Sequence, residues 1–298
     1  MTYLEECEEN FRQENFIPAM PRIVDQLAAA GLYLCETESK AATRGIRKSL
    51  GISNAYECLC TSHEAKGPSG YPRGATLIDD IKGYLSPDLA PRAHAIYGFI
   101  NTTPESRAVR YRKMILANLI DEALDKNGDQ TKILAIACGH LREIDFCQSI
   151  KNVRPHTFIT LNQDEQSLSE VSRATSHYGI KASRGSVRDL LFGKIKVDPM
   201  DLIYTAGLYD YLNNDIGRRL MTRVFSMLKS RGKLMISSFL PNIPVIDYVE
   251  PDMDLCVIYR DEKQMLDLTK GILQDEILSI DQYREPDENI TFLEIIRK

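Results

Sequence analysis

Four short stretches place small or polar residues where a ligand could be held. The first is Ile133-Leu134-Ala135-Ile136-Ala137-Cys138-Gly139-His140-Leu141-Arg142-Glu143, an apolar run that turns at a glycine into a polar stretch. Glycine lets the backbone approach a ligand closely, and free N–H groups at a helix start favour anionic or polar groups. Any buried strand followed by a tight turn reads the same way. The second is Leu161-Asn162-Gln163-Asp164, where a polar side chain suits a ligand hydroxyl or caps the next helix. The third, Gly185-Ser186-Val187, pairs a small polar residue with an aliphatic one and is equally readable as a helix cap. The fourth, Ala206-Gly207-Leu208-Tyr209-Asp210-Tyr211, ends in tyrosines whose rings can stack on a cation or fill a core.

Other chemistry-bearing residues are less pointed. Arg107, Arg110, Arg112 and Lys113 cluster near a helix start, and a solvated basic face explains them more simply than a phosphate or carboxylate site. Cys58, Cys60 and His63 have zinc-binding residue types but no second ligand pair at finger spacing. Glu64 to Gly74 holds three glycines and two prolines, so it is a loop that links elements or folds over a site.

The elements that would position these groups follow from hydrophobic periodicity. Residues 1–105 are read as a helical first domain, with a proline-initiated helix in Phe16 to Leu27. A helix from Thr102-Thr103-Pro104-Glu105 to Leu124 carries an apolar stripe of Val109, Leu116, Ala117, Ile120, Ala123 and Leu124. Beyond it, residues 106–298 alternate strands and helices. Strands are expected at Ile133–Ala137, His156–Leu161, Ile180–Ser183, Asp201–Thr205 and Lys233–Ser238. Helices are expected to begin near Arg142, Asp164, Arg188 and Asn214, with another over Glu262–Gly271. That alternation predicts an α/β, doubly wound, mostly parallel sheet. Glu276–Tyr283 and Ile290–Ile296, separated by one short turn, predict a closing hairpin with an antiparallel last strand.

The chain has 298 residues, 43% of them hydrophobic, and a net charge of -5, which points away from nucleic acid and anionic membrane surfaces. No apolar run approaches the roughly 20 residues of a bilayer span. An acidic amino terminus and seven scattered cysteines lead us to expect a reduced, cytoplasmic protein whose partner is a small molecule.

Taken in order, the four stretches resemble the class I S-adenosylmethionine-dependent methyltransferases, with the likeness covering most of residues 106–298. The resemblance implies a Rossmann-like domain that binds S-adenosylmethionine through Ala137, Gly139, Arg142, Asn162, Gln163, Ser186, Val187 and Ala206. In that arrangement the Ala137–Gly139 turn takes the nucleoside, Asn162 the ribose, Ser186 and Val187 the adenine, and the fourth stretch faces the acceptor. Leu228-Lys229-Ser230-Arg231-Gly232-Lys233 is similar to the family's turn into its fifth strand. A closer resemblance, from Pro68 onward, is to the bacterial group of hydroxypalmitate methyl ester biosynthesis proteins. It rests on Pro68-Ser69-Gly70-Tyr71, Ser106-Arg107-Ala108-Val109-Arg110-Tyr111-Arg112-Lys113, Ala206-Gly207-Leu208-Tyr209-Asp210-Tyr211 and Leu255-Cys256-Val257-Ile258-Tyr259-Arg260.

The departures are specific. The family's usual acid two places before the turn is Ala135, its next glycine is Leu141, and the acid after its second strand is Asn162. An amide still hydrogen-bonds a ribose, though more weakly than a carboxylate. The expected chemistry is methyl transfer to a small molecule, with Tyr71, Tyr209 and Tyr211 as an aromatic wall around the sulfonium and the helical domain as cover. Ring closure of the cofactor to azetidine-2-carboxylate and methylthioadenosine is the alternative, prompted by the missing acid at Ala135. A non-catalytic nucleoside-binding protein is the third reading. A nicotinamide dehydrogenase is disfavoured, because its pyrophosphate turn needs three spaced glycines and only Gly139 is present.

Overall fold

A computed structural model describes residues 104–241, 243 and 257–298. The expected helices of residues 1–103, the Glu64–Gly74 loop with Tyr71, and the Cys58, Cys60, His63 group lie outside the described residues. Nearly all that is described belongs to one compact unit, Ala108–Pro241 with Ile258–Lys298.

This unit is a seven-stranded sheet in the order β3-β2-β1-β4-β5-β7-β6. The strands are β1 Lys132–Ile136, β2 Thr157–Asn162, β3 Lys181–Arg184, β4 Met200–Ala206, β5 Leu228–Phe239, β6 Ile277–Arg284 and β7 Ile290–Arg297. The first five are parallel, and β7 inserts antiparallel between β5 and β6. The chain therefore winds outward from β1 to β3, then restarts at β4 on the other side. That reversal between β1 and β4 is the topological switch point, where ligands of doubly wound sheets sit.

Alternation within each strand decides which face is covered by what. Ile133 and Ala135 of β1 join Leu202, Tyr204 and Met235 in a cluster closed by Leu116, Ile120 and Leu124 of helix α1, Pro104–Asn127. Leu134 and Ile136 point the other way, into a cluster with Ile203, Leu234, Leu293 and Ile295. That second cluster is closed by Leu220, Met221, Val224 and Phe225 of helix α4, Asn214–Phe225. Each fully buried aliphatic side chain here contributes about 1.5–3 kcal/mol. Short helices α2 (Glu165–Thr175) and α3 (Val187–Leu191) complete the crossovers, and α5 (Glu262–Asp267) precedes the terminal hairpin.

Three sequence expectations change. The helix expected at Arg142 is a five-residue 3-10 turn, Arg142–Phe146, because Cys147 leaves it in an extended conformation. The Glu262–Gly271 helix splits into α5 and a 3-10 turn, Leu268–Gly271. Helix α1 runs on to Asn127 and stops where Gly128 takes a positive φ of 58°, which glycine adopts without a Cβ clash.

Candidate functional site

The site is built where β1, β2, β3, β4 and β5 end. After β1, the Ala137 N–H donates to the Leu161 carbonyl of β2 at 2.8 Å, and the Leu141 N–H closes back on Cys138 O at 2.9 Å. Ala137, Gly139 and Leu141 all have positive φ, at 54°, 52° and 55°. Left-handed backbone at two non-glycine residues costs about 1–2 kcal/mol each. Such a conformation persists where surrounding structure holds it, commonly at ligand sites. The Cys138 thiol is pushed up to about 12, first by burial and then by Glu143, so it stays protonated at neutral pH.

Beneath this turn lies a pair that sequence reasoning missed. The buried Glu143 carboxylate accepts a 2.8 Å hydrogen bond from the Tyr204 hydroxyl, and Tyr204 is itself enclosed within β4. Sixty-one positions separate the two in sequence, and no local pattern joins them. Arg142, for which the sequence leaves open a ligand carboxylate, Glu143 or a solvent-facing partner, pairs with Glu170 of α2 at 2.9 Å. Glu170 also takes Arg173, and those two arginines hold its carboxyl below the usual range.

At β2 and β3 the polar side chains are consumed by caps. Asp164 accepts from the N–H of Ser167 at 2.9 Å and from its hydroxyl at 2.6 Å. Asn162 Oδ1 accepts the Asp164 N–H at 3.1 Å, while Gln163 is exposed. Ser186 forms a full capping box with Asp189: its hydroxyl donates to the carboxylate at 2.6 Å and accepts the Asp189 N–H at 3.2 Å. An adenine at this position would therefore meet backbone and Val187 rather than a free serine hydroxyl. Val187 itself is partly buried against the α4-side core.

The β4 end is differently made. Ala206 finishes the strand half-buried, and Gly207 follows with a φ of 86°. The next residues, Tyr209–Tyr211, wind into a 3-10 turn that rotates the two tyrosines apart. Tyr209 is 0% exposed and packs in the α4-side core, its hydroxyl without a partner. It is therefore a core residue and not part of an aromatic wall, which corrects the sequence expectation. Tyr211 is 39% exposed, and its phenol is pushed up to about 12 by burial of the hydroxyl and by Asp210.

Asp210, between them, is the most informative acid in the unit. Its Oδ1 accepts the Ser238 hydroxyl at 2.8 Å and the Phe239 N–H at 3.1 Å. Burial raises its pKa to about 6, against the opposing pull of Arg112 and Arg260. A carboxyl of that acidity can exchange a proton near neutral pH.

Two arginines flank this turn. Arg260 is 1% exposed and donates to Tyr209 O at 2.6 Å, to Leu212 O and to Asn214 Oδ1. Arg112, from α1, is 6% exposed and lies over the Phe239 ring at 5.8 Å. Its Nη1 is buried without a hydrogen-bond partner, and no carboxylate among the described residues lies within ion-pairing reach. Of the basic cluster on α1, Arg107 is solvated as expected, whereas Arg112 and Lys113 are buried.

Among the described residues there is no group of acidic, histidine or cysteine side chains able to hold a metal ion, and no helix long and apolar enough to cross a membrane.

Neither a protein-family model nor a curated protein sequence matches the chain. Solved structures do. The chain is similar to a possible exported protein from Bordetella parapertussis, with a TM-score of 0.60 and 16% identity over 92% of this chain and 94% of that one. It also aligns with the N-methyltransferase NodS from Bradyrhizobium japonicum WM9 in complex with S-adenosyl-L-homocysteine, at TM-score 0.44 and 15% identity over 63% and 87% of the two chains. A third is magnesium protoporphyrin IX methyltransferase from Synechocystis PCC 6803 with bound S-adenosyl-L-homocysteine, at TM-score 0.48 and 10% identity over 75% and 95%. At these identities the likeness speaks to fold alone.

Proposed function

We propose that this protein is an S-adenosylmethionine-dependent methyltransferase with a small-molecule acceptor. One observation carries the reading: the sheet order β3-β2-β1-β4-β5-β7-β6, with β7 reversed, sets a left-handed turn centred on Gly139 beside the switch point. The donor set fits a nucleoside better than a dinucleotide. A single turn glycine, an amide at Asn162 and a capped β3 turn suit hydroxyls and a base edge, and offer no cradle for a pyrophosphate.

In this proposal the backbone of Ala137 and Gly139, with Asn162, Gln163, Val187 and Ala206, holds the cofactor. When bound, S-adenosylmethionine supplies a methyl group already activated on a sulfonium. The residues of this chain then have three tasks: orienting the acceptor, keeping water out, and taking a proton where the acceptor carries one. Asp210, with its pKa near 6 at the end of β4, is suited to the last task. Residues 1–105, as a separate helical domain carrying Tyr71, would form the cover. The finer likeness to the hydroxypalmitate methyl ester biosynthesis group belongs to this proposal as well. Ala135 is fully buried in the α1-side core, and no observation favours ring closure over transfer.

Calorimetry with S-adenosylhomocysteine tests the binding step, and mass spectrometry after incubation with S-adenosylmethionine and cell extract tests the reaction. The reading expects S-adenosylhomocysteine among the products. No binding of the nucleoside would overturn it, and methylthioadenosine formed from the cofactor alone would favour ring closure.

A further inference from the structure

We propose, resting on the S-adenosylmethionine reading above, that Glu143 and Tyr204 are positioning residues for the cofactor: together they pin the Ala137–Leu141 turn to β4 and hold it in its binding shape.

The turn is strained backbone. Ala137 and Leu141 carry side chains in the left-handed region, at φ 54° and 55°, on either side of Gly139. The Leu141 N–H closes the turn on Cys138 O, but a bond inside the loop does not fix where the loop sits on the sheet. Bridges to the neighbouring strands do that. On one side the Ala137 N–H donates to Leu161 O of β2 at 2.8 Å. On the other, Glu143 of the 3-10 turn that follows Leu141 accepts from the Tyr204 hydroxyl of β4 at 2.8 Å. β2 and β4 are the two strands that flank β1, so the loop is tied across the switch point from both sides.

The β4 tie is fitted to its place. Tyr204 pairs in register with Ala135 of β1, and both belong to the α1-side core. The Ala135 methyl offers the phenol no acceptor, and the carboxyl that meets it comes from the turn instead. Both partners are buried, so water competes little for their hydrogen bond. Burial, and then the Glu143 charge, pushes the Tyr204 phenol well above its usual range, which keeps the hydroxyl a donor at neutral pH. Lying beneath the turn, the pair acts through the backbone above it. A turn released from this tie holds its left-handed shape for only part of the time, and affinity falls by that fraction.

The experiment is calorimetry of S-adenosylhomocysteine binding to the full chain and its variants, at a temperature where urea unfolding shows each to be folded. Tyr204→Phe keeps the ring and removes the hydroxyl, and should weaken binding about tenfold. Glu143→Ala should weaken it as much, whereas Glu143→Gln, whose amide oxygen still accepts the phenol's hydrogen, should stay within about threefold of wild type. The double variant Glu143→Ala with Tyr204→Phe should be no weaker than the worse single one, because both remove the same bridge. Val224→Ala, a truncation in the α4-side core, lowers stability without touching the bridge and should leave affinity unchanged. Wild-type affinity in Tyr204→Phe, equal losses in Tyr204→Phe and Val224→Ala, or a Glu143→Gln loss as large as that of Tyr204→Phe each overturns the positioning role and leaves the cofactor reading intact. Should Glu143→Ala fail to fold, Tyr204→Phe, Glu143→Gln and Val224→Ala decide among themselves. Failure of the wild-type chain to bind S-adenosylhomocysteine overturns both.

Discussion

Arg260 and Arg112 both lie beside the turn that follows β4, and their surroundings differ in kind. Both are almost wholly enclosed. Arg260 fastens the chain after β4 by donating to Tyr209 O, Leu212 O and Asn214 Oδ1, so its charge is spread over acceptors that would otherwise be orphaned. Arg112 meets a ring face and a glycine. The first arginine is committed to the fold, and the second keeps a buried Nη1 without a partner at a cost in desolvation. The same division runs along the sheet's edge. At β2 and β3, Asp164 and Ser186 are absorbed by helix caps, whereas after β4 the Arg112 Nη1 lies buried without a hydrogen-bond partner.

The sharpest break of this comparison is to remove each arginine in turn. Arg260→Met leaves the Tyr209 and Leu212 carbonyls buried without donors, and should cost about 4 kcal/mol in urea unfolding. Arg112→Met deletes an unsatisfied charge and should stay within about 1 kcal/mol of wild type. Equal losses for both would erase the distinction.

Asp210 comes next, through pH. Its folded pKa is raised from 3.8 to about 6, chiefly by burial, so its protonated form is the one the fold prefers. The stability it contributes is whole below about pH 4 and is lost as pH rises through about 6, a change of at most about 3 kcal/mol. Glu170, Asp189 and Glu262 are shifted the other way and gain stability over the same rise, so the readout is a difference between proteins. Denaturant midpoints from pH 4 to 7 should show wild type losing ground against Asp210→Asn as pH increases. Parallel curves would mean that Asp210 is better solvated than its surroundings imply.

The smallest effects separate two enclosed tyrosines. Tyr204→Phe strips a hydroxyl from the buried Glu143 carboxylate and should destabilise by about 2 kcal/mol. Tyr209→Phe removes a hydroxyl that has no partner and should be neutral or stabilising by up to about 1 kcal/mol. Thermal unfolding of the two variants decides it, and a loss at Tyr209 matching that at Tyr204 would refute the assignment.

Strand placement was readable because it depends on neighbours two residues apart. Ile133 to Ile136 alternate between two cores whatever the rest of the chain does, and the closing hairpin follows from a short turn between two apolar runs. Helix caps at Asp164 and Ser186 were local as well, one side chain answering an N–H three residues on. The sequence by itself therefore determined the α/β alternation and the turns at the sheet's edge. Tertiary structure alone decided which charges those turns enclose. Arg112 looks solvated among its basic neighbours until β4 and β5, about a hundred residues away, close over it. Tyr209 looks like a wall until a 3-10 turn swings it into the core. Burial is a property of packing between distant segments, and the price of an unpaired charge exists only once that packing has formed.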